Sequence, residues 1–151
     1  MVDYNKLKQL REETGISFSS CKKALEESND NIAKAKELLK QWGEVTVAKK
    51  AGRETAQGSI FTYVHHNRKI ASMVELLCET DFVSGNEEFR LMGQEIAMQA
   101  ATIRSAAVDE FLQSEYIRDP SKKVIDLIKE AVMKFGENIK LNRILRWQIG
   151  E

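Results

Sequence analysis

The sequence predicts an α+β chain with a three-helix minidomain over residues 1–44, a linker over 45–57 and a core over 58–151 in which a three-stranded antiparallel sheet packs with helices. Three observations predict it. Through the first forty residues apolar side chains recur at helical spacing with capping residues between the runs. From Ser59 the period changes to two, the spacing of a strand with one face inward. Two further helical stripes then separate this stretch from a last alternating one at 139–149.

Tyr4, Leu7 and Leu10 line the first helix, and Thr14-Gly15 is placed to end it, because Gly accepts the left-handed conformation of a helix terminus. Ser17 then caps a second helix carrying Phe18, Cys21 and Leu25 on one stripe. After Asn29-Asp30 a third runs through Ile32, Ala35, Leu39 and Trp42, and Gly43 is expected to stop it. So few large apolar residues make a small core and a minidomain dependent on its contacts. Val45 to Ala56, rich in Ala and Lys, suits an exposed helical or extended connector.

Beyond the connector, Phe61, Tyr63 and His65 alternate with Ile60, Thr62 and Val64, His66-Asn67-Arg68 supplies a turn, and a second strand follows from Ile70 to Cys78. One helical face then carries Phe89, Met92, Ile96 and Ile103, and another Val124, Leu127, Ile128, Ala131 and Phe135. Asp119-Pro120 reads as the opening of that last helix, with Asp as cap and Pro at the first helical position, and Gly136 as its close. Ile139, Leu141, Leu145, Trp147 and Ile149 are expected on one face of a third strand.

Composition narrows the function. Lys and Arg number 23, as do Asp and Glu, so no global field draws phosphate backbones or anionic membranes, and partners must be recognised locally. Two cysteines, Cys21 and Cys78, without neighbours at zinc spacing, support neither a disulfide framework nor a structural metal, and suit a reducing, cytoplasmic setting. A charged start and the lack of any run near about 20 apolar residues read as a soluble chain that is not exported. Cys21 and Cys78 sit on apolar stripes without a His and acid partner, and the carboxylates are scattered, so neither nucleophilic nor acid-base catalysis is indicated. His65 and His66, adjacent at a hairpin end, are expected to point to opposite faces, which spoils joint ligation. Lys22-Lys23 and Lys49-Lys50 lack the aromatic platforms of a nucleic-acid binder.

Several motifs occur in order along the chain. Leu7-Lys8-Gln9-Leu10-Arg11-Glu12-Glu13-Thr14-Gly15 is followed by Cys21-Lys22-Lys23-Ala24-Leu25, Lys49-Lys50-Ala51-Gly52-Arg53, Tyr63-Val64-His65-His66-Asn67, Cys78-Glu79-Thr80-Asp81-Phe82-Val83 and Gly136-Glu137-Asn138-Ile139. Together they resemble the signatures of translation elongation factor Ts, in its short form with a single core subdomain. Phe18-Ser19-Ser20 departs from the apolar residue and Asp that many members carry before Cys-Lys-Lys.

That resemblance implies a guanine nucleotide exchange factor for elongation factor Tu, acting in the cytoplasm without cofactor or bond chemistry. It implies a ubiquitin-associated-like minidomain touching the nucleotide-binding domain of Tu through Arg11, Gly15, Phe18, Ser19 and Lys22. It also implies a tip, Thr80, Asp81, Phe82 and Val83, that wedges beside the partner's magnesium site and loosens GDP. The residues add their own support, since Thr80 or Asp81 can cap a helical turn after the strand and so project Phe82 or Val83 from a corner. Bulky groups on both faces of the first strand suggest an exposed apolar patch and a homodimer. An adaptor built on the same minidomain is the rival reading, and it has no need of the tip.

Overall fold

The computed structural model describes residues 1–104 and 107–151. Three N-terminal helices, α1 (Tyr4–Thr14), α2 (Phe18–Glu27) and α3 (Ile32–Lys50), are each opened by a short polar side chain. Asp3 accepts from the Asn5 and Lys6 amides, Ser17 from Ser20 and Asn31 from Lys34. These side chains satisfy amides that have no partner within the helix. Gly15 closes α1 at φ 68°, the left-handed conformation expected of it. Leu7, Leu10, Cys21, Leu25 and Leu39 form a compact core of their own.

The third helix does not stop at Gly43. It runs on to Lys50, so it covers most of the expected connector and carries the chain out of the minidomain. Gly43 has a packing role: a Cβ there would meet Met133 Sδ at 2.8 Å, so its bare backbone lets α3 lie close against the helix bearing Met133.

In the second part the strands are β1 (Gln57–Val64), β2 (Ile70–Cys78) and β3 (Lys140–Gln148), in the order β1-β2-β3 and antiparallel throughout. A turn at Arg68 (φ 60°) joins β1 to β2. After β2 come α4 (Asp81–Ser84), α5 (Glu87–Thr102), α6 (Val108–Leu112) and α7 (Val124–Phe135). The α5 helix lies across the inner face of the sheet, and Ser72 Oγ donates to the Ala97 carbonyl. Phe61, Val74, Leu76, Phe89, Ile96 and Phe111 fill the space between them. Ile103 falls just beyond α5.

Two expectations at the end of the chain are corrected. Asp119-Pro120 does not open α7. Asp119 Oδ1 accepts from the amide and hydroxyl of Ser121 in a preceding turn, while α7 begins at Val124 and Asp126 accepts the Lys123 N–H at 2.9 Å. Nor do the apolar residues of β3 share a face. Pairing shifts between Glu75 and Leu76, because Glu75 opposes Arg143 and Leu76 opposes Leu141, leaving Asn142 as an extra residue. Such a bulge reverses the alternation. Leu141 and Ile144 therefore turn inward, and Leu145 and Trp147 turn out beside Met73, Ile60 and Val64. Among the described residues no helix is long and apolar enough to cross a membrane.

Candidate functional site

At the end of β2 the chain makes a corner whose geometry follows from four consecutive residues. Thr80 is extended (φ −126°, ψ 158°) and occupies the cap position of α4, yet its side chain makes no cap bond to the helix. Its hydroxyl donates instead to Glu137 Oε2 at 2.6 Å. Asp81 follows in the first turn, exposed, and the turn closes with the Gly85 amide donating to the Asp81 carbonyl at 2.9 Å. Helical rotation then separates the next two residues. Val83 is buried in the main core, whereas Phe82 is 87% exposed. Large aromatic side chains are substantially covered on average, so Phe82 stands apart from its buried neighbour Val83.

Glu137 supports this corner from below: its Oε1 accepts the Glu79 and Thr80 amides at 3.1 and 3.0 Å. The Asn138 N–H donates to Glu79 Oε2 at 2.6 Å, and Arg53 Nη1 lies 3.5 Å from the same oxygen. Asn138 Nδ2 reaches back to the carbonyls of Arg53 (2.9 Å) and Ala51 (3.4 Å). The sequence carried the signal for this support in Gly136-Glu137-Asn138-Ile139, whose role sequence reasoning left open.

The second candidate set flanks the turn between α1 and α2. Arg11 and Gly15 end α1, and Phe18, Ser19 and Lys22 begin α2; all five are exposed. Phe18 is 46% exposed and stands outside the small core that its stripe partners Cys21 and Leu25 join, which corrects its expected place on that stripe. Gly15 faces the Lys134 side chain of α7. The two candidate sets thus occupy separate elements, one on the minidomain and one at the end of the central strand.

Other candidates resolve simply. The His65 and His66 ring centroids are 4.1 Å apart, so they do not take opposite faces: β1 ends at Val64 and strand alternation no longer applies. Tyr63 Oη and His65 Nδ1 share a hydrogen bond of 2.9 Å. Among the described residues no group of three or more His, Cys, Asp or Glu is gathered to hold a metal. Cys21 and Cys78 are buried free thiols, both raised above the ordinary thiol value chiefly by burial, with Glu137 adding to the rise at Cys78.

Known proteins match this arrangement along its length. An elongation factor Ts of Thermosipho melanesiensis is 37% identical in an alignment of 196 positions that covers all of both chains. The chain belongs to the elongation factor Ts family. A family model described as elongation factor TS matches residues 79–151, taking in the Thr80–Val83 corner and Glu137-Asn138. Another, described as elongation factor Ts, mitochondrial, N-terminal, matches residues 1–52, which hold the α1–α2 candidates. Elongation factors Ts of Aquifex aeolicus and Clostridium botulinum are 45% and 42% identical over 97% and 99% of this chain. The chain spans about half of their length, 52% and 48%.

Proposed function

We propose that the chain is a guanine nucleotide exchange factor for elongation factor Tu: it binds the GDP form, displaces Mg²⁺ from the partner and speeds GDP release so that GTP can bind. The observation that carries this reading is the Phe82 ring, 87% exposed on a turn whose next residue, Val83, is anchored in the core. Phe82 is the wedge, with Thr80 and Asp81 beside it, and Arg11, Gly15, Phe18, Ser19 and Lys22 form the N-terminal contact. Family membership and the match of both regions to elongation factor Ts support it.

Magnitudes require both contacts. A thousandfold weakening of bound nucleotide corresponds to about 4 kcal/mol, while burying one Phe contributes roughly 1.5–3 kcal/mol. The coupling is reciprocal, so rebinding nucleotide expels the factor by the same ratio, and exchange is accelerated without any bond being made or broken in this chain. The division into residues 1–44, 45–57 and 58–151 belongs to this reading, with contacts to Tu made from the first and last parts, and the work is cytoplasmic.

The outer sheet face also enters the reading. Ile60, Val64, Met73, Leu145 and Trp147 are exposed together, with Ile149 beyond the strand end. An apolar face of this kind suits a second copy of the chain in a symmetric homodimer. Sedimentation velocity giving only a monomer at micromolar concentration would dismiss the dimer.

The exchange reading is tested by the release rate of a fluorescent GDP analogue from the cognate elongation factor Tu, with wild type and with Phe82→Ala. Acceleration that falls sharply in the variant is expected. Acceleration indifferent to the substitution would remove Phe82 from the mechanism, and none from wild type would favour an adaptor.

A further inference from the structure

We propose that Glu137 and Asn138 are positioning residues, which lock the Phe82 turn and the exit of α3 into one rigid unit so that wedge and minidomain meet the partner at a fixed span. This rests on the exchange reading and adds to it the two residues that aim the wedge. A turn as short as α4 cannot hold itself, because the first helical turn orders several residues for one hydrogen bond. Its direction is set by what grips its ends. Val83 grips it from the core side.

Glu137 grips its entrance, taking two backbone N–H groups on Oε1 and the Thr80 hydroxyl on Oε2. Hydrogen bonds to an ionised carboxylate are roughly twice as strong as neutral ones, and here three converge on one side chain. Asn138 faces the other way. Its side chain holds the carbonyls of Ala51 and Arg53, just past α3, and Lys50 Nζ donates to the Gly136 carbonyl at 2.9 Å. The Asn138 N–H and Arg53 then meet on Glu79, immediately before Thr80. Both ends of the linkage thus close on a two-residue segment.

Asn138 is only 9% exposed, so it acts through its neighbours and not by broad contact with a partner. Rigidity matters because a second contact adds fully to a first only when the link between them holds the required span. A contact group loose by even a fraction of its reach loses function although it is still present.

The test is GDP-analogue release from the cognate elongation factor Tu across a range of factor concentrations, with amide hydrogen exchange on the free protein. For Glu137→Ala the plateau rate is expected to fall about tenfold while the half-saturating concentration stays within about twofold. The Glu79 and Thr80 amides should lose protection while those of Val74 and Leu76 in β2 keep theirs. Glu137→Gln should restore most of both readouts, since its Oε1 can accept the two amides and its Nε2 can donate to the Thr80 hydroxyl, with neutral bonds in place of charge-assisted ones. Asn138→Ala, which frees the α3 exit but leaves Glu137 in place, should raise the half-saturating concentration and spare the plateau.

A purely structural role would instead shift both kinetic parameters and expose amides throughout the sheet. Wild-type acceleration with an unimpaired Glu137→Ala, or continued protection of Glu79 and Thr80 in that variant, overturns the proposal alone. An Asn138→Ala curve superimposed on wild type removes Asn138 from it. No acceleration by wild type overturns the exchange reading and this proposal together.

Discussion

The ring of Phe61 on β1 occupies the space in which a Cβ of Gly93 on α5 would stand. The helix lies against the sheet at this crossing because one partner has no side chain. Gly93→Ala is therefore expected to force ring and helix apart at a cost of about 1–3 kcal/mol. In a chain of this size each kcal/mol lowers Tm by about 2–4 °C, so scanning calorimetry should show a fall of several degrees. An unchanged Tm would mean that the crossing can repack freely.

Phe82 and Val83 are neighbours with opposite thermodynamic roles. Phe82→Ala removes a ring already in water and is expected to change unfolding stability by no more than about 0.5 kcal/mol. Val83→Ala empties a site in the core and should cost about 1.5–3 kcal/mol. Urea midpoints of the two variants measure the difference. Equal losses would show that Phe82 is covered in solution.

On the outer sheet face Glu75 accepts from Arg143 Nη2 at 2.7 Å and Asn142 Nδ2 at 2.6 Å. These bonds, Arg143 first, hold its carboxyl below its ordinary 4.5. A depressed folded value means that the contribution is fully present above 4.5 and is lost as pH falls through the folded value. Removing the donor by Arg143→Met should therefore make the acid loss of stability shallower and bring the Glu75 titration, followed by carbon NMR, back toward 4.5. A Glu75 titration unmoved by the substitution would refute the assignment.

Burial raises both thiols, so the reactive thiolate is scarce as well as shielded at Cys21 and Cys78. A disulfide reagent at pH 8 is expected to label neither thiol at a measurable rate in the native protein and both in guanidinium. Fast labelling of a native thiol, located by mass spectrometry, would reveal local opening at that cysteine.

Much of this was legible in the sequence because the signals were local. Gly15 and Gly136 end their helices in the left-handed conformation, Ser17 caps α2, and the β1–β2 turn falls at Arg68, all within a few residues of the signal itself. The misread elements depended on distant residues. Gly43 reads locally as a stop but serves the close approach of Met133 on α7, and Asp119-Pro120 reads locally as a helix start although the Asp119 side chain is committed to Ser121. A single extra residue, Asn142, turned Leu145 and Trp147 outward.

By itself the sequence determined the fold class, the three strands, the family and the place of the Thr80–Val83 corner, because periodicity, caps and ordered motifs are written in short stretches of chain. Only the tertiary structure decided that Phe82 and not Val83 faces solvent, that β3 turns Leu141 and Ile144 inward but Leu145 and Trp147 outward, and that Glu137 and Asn138 hold the corner to the end of α3. Those outcomes depend on which residues far apart in sequence, such as Thr80 and Glu137, come within hydrogen-bonding reach. Hydrogen bonds act over about 3 Å, and one-dimensional spacing does not encode which distant groups meet that condition.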